Sequence, residues 1–399
     1  MAGRYGKGGY NRDVSRIYLD HNATTPLDPR VLEAMLPVLR EGFGNPSSLH
    51  WFGQQARAAV DIAREQVASL IGASPGEIVF TASGTEADNT ALRGSAAAAR
   101  EPRRKIVTTT IEHHAVMNTA KALAEEGVPV ESVRAGAGGV VDLDDLRAKA
   151  DARTALVAMM LANNETGIVE PVAEAVRVAR EHGALVHCDA VQAVGKITVD
   201  VRALDVDTLA LSAHKIYGPK GVGALYVKRG TRLKAFVRGG SQERNRRAGT
   251  ENVAGIVGLG RAAELAREEM AGEAARLAGL RDRLEARLLA LPGALRNGEG
   301  PRVPNTTNLS FAEVEAESLV MALDMAGLAV STGAACAAGA VEPSHVLRAM
   351  GLPLERVQAS LRFSLGRTTT AEQVDRAAEI VAEAVDRQRR MARVYAKKA

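Results

Sequence analysis

Aromatic residues make up only 3% of this 399-residue chain. That is too few for the stacking platforms on which proteins hold single-stranded nucleic acid. Cysteine is scarcer still. Cys188 and Cys336 cannot make a disulfide framework, which suits a reducing, cytoplasmic compartment. No apolar run approaches the ~18 residues of a membrane span. The Gly/Arg-rich start lacks the apolar stretch of a signal peptide, so residues 1–16 read as a flexible tail. Charge of one sign is also missing. Fifty-one basic against 47 acidic residues leave +4, spread as solvated arginine with no basic stripe for nucleic acid. There is no internal repeat. What is present is 46% apolar and 25% charged, the composition of a soluble globular enzyme, at a length for two or three domains.

The first two thirds alternate strand-like and helix-like stretches. Strands are expected at Glu77–Thr81, Lys105–Thr109, Ala155–Leu161, Ala184–Cys188, Thr208–Leu211 and Gly223–Val227. Helices are expected at Glu86–Ala99, Val116–Glu126 and Val172–His182. This alternation predicts an α/β fold with a mainly parallel sheet covered by helices. A long Ala/Leu/Arg/Glu helix, Arg261–Leu291, leads out of it. Short strands at Asn308–Phe311, Leu328–Ser331 and Leu361–Ser364 then imply a smaller α+β unit. The division expected is a large domain over 17–265, whose first dozen or so residues pack with the small one, and a small domain over 266–399.

Ligands of open parallel sheets bind beyond the strands' carboxyl ends. After the Glu77–Thr81 strand come Ser83-Gly84-Thr85 and a helix start, which reads as a plain N-cap or a phosphate cradle. Neither this turn nor Gly218–Tyr226 matches the P-loop or dinucleotide patterns, so an ATPase or NAD enzyme is not supported. Asp189 and Lys215 also stand just past strands. They read as a structural ion pair, or as the acid and amine that pyridoxal phosphate requires. His113 reads as a capped loop histidine, a ring-stacking group or a proton carrier. The histidines fit no metal-ligand spacing, so no metal is expected. Cys188 reads as a small buried apolar residue. Cys336, in the Gly/Ala stretch Ser331–Ala340, is either buried or a thiol able to move into use.

Ordered motifs along almost the whole chain resemble one family. They are Tyr18–Pro26, Phe43–Ser48, Glu77–Thr81, Asn163–Gly167, Asp189–Lys196, His214–Gly221, Arg247–Asn252, Glu342–Ser344 and Arg362–Arg367. The family is that of the group I cysteine desulfurases (NifS/IscS type), class-V aminotransferases of pyridoxal phosphate fold type I. Arg246–Asn252 and Leu161–Gly167 look closer to its nitrogen-fixation branch.

The resemblance implies pyridoxal 5'-phosphate as cofactor, with Lys215 as its Schiff-base lysine, Asp189 at the pyridinium nitrogen and His113 stacked on the ring. Gly84, Thr85, Ser212 and His214 match phosphate-side contacts, and Gln192 and Asn164 contacts on the ring-hydroxyl side. Thr250 matches a residue that reaches the phosphate of the other subunit, which implies a homodimer. Asn45 and Arg362 match the groups that hold the substrate carboxylate, and Cys336 the catalytic cysteine. The implied reaction converts L-cysteine to L-alanine and leaves a persulfide on Cys336, passed to an acceptor such as an iron–sulfur scaffold or another thiolation partner. The alternative is a class-V aminotransferase or selenocysteine lyase. Four features depart from the pattern: Ala213 replaces a glycine, alanines flank Cys336 where hydroxyls are usual, Ser241 stands where a histidine is common, and the chain ends soon after Arg390.

Overall fold

The computed structural model describes residues 16–333 and 342–396. Most of the expected N-terminal tail and Cys336 therefore lie outside the described residues. The strands in chain order are β1 (Ile17–Tyr18), β2 (Ile78–Thr81), β3 (Lys105–Thr109), β4 (Val130–Val133), β5 (Thr154–Met160) and β6 (Leu185–Asp189). They continue with β7 (Thr208–Ser212), β8 (Gly223–Val227), β9 (Ala294–Arg296), β10 (Thr306–Phe311), β11 (Leu328–Ala329) and β12 (Ser360–Ser364). A seven-stranded sheet has the order β2-β8-β7-β6-β5-β3-β4. Only β8 runs against the others; it is antiparallel to both β2 and β7. The near-continuous apolar runs of β3, β5, β6 and β7 follow from burial on both faces. The mainly parallel α/β sheet expected from the alternation is present.

Helices α1 (Pro29–Arg40), α2 (Trp51–Leu70), α3 (Gly84–Ala98) and α4 (His114–Glu125) open the chain. α3 follows β2 and α4 follows β3, so both N-termini open at the carboxyl edge of the sheet, where Asp189 and Ser212 also end their strands. Two expectations shift. β4 was not foreseen, because Val-Glu-Ser-Val carries little apolar signal and its edge place in the sheet supplies the pairing. The long helix spans Val253–Leu289, starting earlier than Arg261. Its first turns hold Gly255, Gly258 and Gly260, which weaken helix propensity. Close packing explains them: a Cβ on Gly260 would stand 2.6 Å from the Ala63 Cα of α2.

That helix crosses between two cores. Ile256, Leu259 and Leu265 join the core on α2 and the large sheet, whereas Leu277, Leu284 and Leu288 join a second core. The second core lies on the antiparallel sheet β12-β10-β9 and the parallel pair β1-β11. Ile17 and Leu19 belong to it, beside Leu309, Phe363 and Val381.

Candidate active site

The crevice is built from strand ends. Ser83 caps α3 by accepting from the Glu86 N–H at 3.1 Å, so the first turn of α3, Gly84 and Thr85, presents backbone N–H groups. Beside it the Ser212 hydroxyl is buried and has no hydrogen-bond partner among the described residues. His214 shares its Nδ1 with the Thr24 hydroxyl at 3.1 Å, and burial followed by the charge of Lys215 draws its pKa down to about 4.

Lys215 lies three residues past β7. Its Nζ donates to the carbonyls of Asn22 (2.5 Å) and Ala23 (2.8 Å). Burial, then the charge of Arg362, lowers its pKa to about 8, while Asp20 and Asp189 oppose the shift. A usable minority of the amine is therefore neutral near physiological pH, far more than for an ordinary lysine, as a catalytic lysine requires. Asp189 closes β6 and accepts from the Val191 N–H at 2.9 Å. Burial raises its pKa, and Lys215 pulls it back. On the same face of β6, His187 bonds Asp88 of α3 (3.1 Å) and the Thr208 hydroxyl (2.9 Å). Burial keeps that imidazole neutral and pushes the Asp88 carboxyl well above the usual carboxylate range.

His113 caps α4. Its Nδ1 accepts from the Ala115 N–H at 3.1 Å, which leaves the proton on Nε2. The ring is exposed, yet the protein packed around it and then the charge of Lys215 lower its pKa toward about 4. An open face weakens that pull; either way the imidazole is neutral at pH 7.

Asn22 ties these groups together. Its carbonyl accepts from Lys215 and from the Gln192 amide (3.0 Å). Its side-chain amide donates to the Asn164 carbonyl (3.2 Å) and to the Thr306 hydroxyl of β10 (2.9 Å). Its Oδ1 accepts from Lys196 at 2.9 Å. Lys196 is buried and, among the described residues, has no carboxylate partner; its other acceptor is Gln192 Oε1 at 2.6 Å. Burial holds its pKa well below the usual lysine range. Arg362 of β12 donates to the Asn164 carbonyl (3.0 Å) and to Asp20 (2.7 Å). The sequence reading missed Asp20, Asn22 and Lys196. All three lie in the motifs Tyr18–Pro26 and Asp189–Lys196, but Asn22 has no titratable group, and Asp20 and Lys196 read as ordinary charges until their distant partners are seen.

Of the expected site residues, Lys215, Asp189, Gln192, His113, Asn164, His214 and Arg362 converge through these bonds and charges, and Gly84, Thr85 and Ser212 sit at the adjoining helix start. Asn45 and Thr250 do not join them. Both are exposed; the Asn45 side chain accepts from the Ser47 N–H, and among the described residues no hydrogen bond links either to Lys215 or Arg362. Their neighbours Ser47 and Glu251 line one shared recess. Cys188 is fully buried, and burial raises its thiol pKa. No group of three or more metal-binding side chains occurs among the described residues.

A lysine and a buried aspartate at the carboxyl edge of a mainly parallel sheet, beside a helix N-terminus, mark fold type I of the pyridoxal phosphate enzymes. The family model named aminotransferase class-V matches residues 17–377, and the chain belongs to that family. Within it, a cysteine desulfurase of Trichormus azollae is 51% identical over 378 residues, 94% of each chain. The cysteine desulfurase IscS of Dictyoglomus turgidum is 46% identical over 377 residues, 94% of this chain and 95% of its own. A solved NifS-like protein superposes with a TM-score of 0.88 at 40% identity, over 93% of this chain and all of its own.

Proposed function

We propose that the chain is a pyridoxal phosphate-dependent cysteine desulfurase that converts L-cysteine to L-alanine and collects the sulfur as a persulfide on Cys336. The observation that carries this reading is the half-buried Lys215 amine, its pKa lowered to about 8 by burial and the charge of Arg362, within electrostatic reach of the buried Asp189 carboxyl. The residues fit the cofactor. The unpartnered Ser212 hydroxyl and the first turn of α3, with Gly84, Thr85 and His214, suit its phosphate. Asp189 suits a ring nitrogen that must stay protonated. The unpartnered Asn164 Oδ1, with Gln192, suits the ring hydroxyl.

When bound, pyridoxal phosphate supplies a sink for the electrons left on the substrate α-carbon. Lys215 Nζ takes the α-proton, and its low pKa keeps it able to do so. His113 Nε2 carries a proton that it can give and regain. Arg362 offers a planar fork to the substrate carboxylate, with Asn45. The Cys336 sulfur bonds to the substrate sulfur, and the substrate C–S bond breaks. The carbon keeps the electron pair and gains a proton on the way to alanine, and Cys336 is left as S–SH.

The two cores support a division into large and small units, 17–265 and 266–399, although Ile17 and Leu19 join the small unit's core and Val346, Leu347 and Met350 the large unit's. An apolar patch on the outside of α2 supports a homodimer: Phe43, Leu49 and Trp51 are 78%, 92% and 66% exposed. A second copy there would give exposed Thr250 a phosphate to reach. Among the described residues no helix is long and apolar enough to cross a membrane. A cytoplasmic place and a sulfur-acceptor protein, such as an iron–sulfur scaffold, complete the reading.

The test is sulfide and alanine release from L-cysteine with a thiol reductant, in the wild type and Cys336→Ala together. Equal yields in the wild type, with sulfide lost in the variant, support the proposal. Sulfide that survives Cys336→Ala, or alanine without sulfide in the wild type, overturns it in favour of a lyase or transaminase.

A further inference from the structure

Arg362 is almost wholly buried, and its fork is partly filled before any substrate arrives. Nη1 donates to the Asn164 carbonyl at 3.0 Å and Nη2 to Asp20 Oδ1 at 2.7 Å, while Nε is buried and has no partner among the described residues. A buried guanidinium N–H without an acceptor is costly unless a ligand supplies one. Nε is therefore the donor left for a ligand, and Asp20 fixes the neighbouring Nη2. Asp20 is itself fixed by backbone. It bridges Ser364 of β12, the Ser364 N–H donates to the Leu19 carbonyl (2.8 Å), and Tyr18 donates its hydroxyl to the Asp20 carbonyl (2.9 Å).

We infer that Asp20 is a positioning residue that aims the Nε edge of Arg362 at the substrate α-carboxylate and so sets selectivity for an amino acid over a plain amine. This rests on the reading of Arg362 given above. Two effects of Asp20 compete: it orients the guanidinium, and its own charge opposes a second carboxylate. Burial decides between them. Without Asp20 the guanidinium would keep a single carbonyl partner in a dry site, and a buried charge so poorly paired turns away from its place. Orientation therefore outweighs repulsion.

The holoenzyme is titrated with L-alanine and, separately, with ethylamine, the same molecule without its carboxylate. Binding is read from the visible absorption of the cofactor. Asp20→Asn weakens L-alanine about tenfold and leaves ethylamine within about twofold, because only the carboxylate contact is lost. Asp20→Glu, which keeps the charge, recovers part of the alanine affinity. Retention of the visible band shows that each variant is folded. Equal weakening of both ligands, no weakening of alanine, or tighter alanine binding in Asp20→Asn overturns the inference. Arg362→Lys separates it from its premise. If that variant weakens alanine selectively while Asp20→Asn does not, the premise stands and the role of Asp20 falls. If Arg362→Lys leaves alanine unchanged, Arg362 does not hold the carboxylate at all.

Discussion

Glu170 is 3% exposed; its carboxylate Oε2 accepts from the Val141 N–H at 2.9 Å, and among the described residues Oε1 has no partner. Burial raises its pKa to about 8. In the unfolded chain the same carboxyl releases its proton at the ordinary value of 4.5. Between these values the folded state holds more protons, so Glu170 makes stability fall as pH rises from about 4.5 to about 8, and level off above. Glu170→Gln removes that contribution. The urea midpoint of the variant should decline less between about pH 5 and pH 8 than that of the wild type; parallel declines would refute the assignment. Glu112 adds a slope of the same sign, since burial also raises it to about 8, so the variant retains some decline. None of this is visible in the sequence, where nothing local marks either carboxyl as buried.

At the scale of elements, the turn that leads to Thr250 is held under strain. Glu243, Arg244 and Asn245 have φ of +46°, +57° and +62°, a run of left-handed backbone without a glycine. Such residues cost about 1–3 kcal/mol each and persist only where their surroundings fix them. What fixes them is Arg64 of α2. It grips both oxygens of Glu243 at 2.7 and 2.8 Å, lies over Phe80 at 4.6 Å, and donates to the Ile78 carbonyl. Glu243 also accepts from the Phe80 N–H at 3.0 Å, so β2, α2 and the turn share one buried ion pair. Glu243→Ala strands that guanidinium and should cost about 3–5 kcal/mol in urea unfolding. Faster amide hydrogen exchange over residues 243–250 should accompany it. A loss under about 1 kcal/mol would show that the turn keeps its shape unaided. The Arg247–Glu86 pair, at 2.8 Å, ties the same turn to the first turn of α3.

For the whole molecule, the exposed patch matters most. Phe52 lies 5.0 Å, ring to ring, from both Phe43 and Trp51, so one apolar face projects from α2 and the loop before it. If a second copy covers it, Phe43→Ser with Trp51→Ser shifts sedimentation from dimer to monomer. Cofactor retention falls with it, because Thr250 then has no partner site to complete. A double variant that still sediments as a dimer places the interface elsewhere.

The sequence by itself determined the α/β alternation, the helix starts after β2 and β3, and the strand-end positions of Lys215, Asp189 and His113, because period, capping residues and burial are local signals. It also carried the family pattern, which pointed to Arg362, Gln192 and Asn164 without saying what holds them. Only the tertiary structure decided the edge place of β4, the early start of the helix Val253–Leu289, and the convergence on Asn22. Each depends on contacts between residues far apart in the chain. Asn22 meets Asn164, Lys196, Lys215 and Thr306 across gaps of 142 to 284 residues. The pairing of Asp20 with Arg362, 342 positions away, is of the same kind. Such partners are set by how the two cores close on the crevice, and local patterning carries no record of that closure.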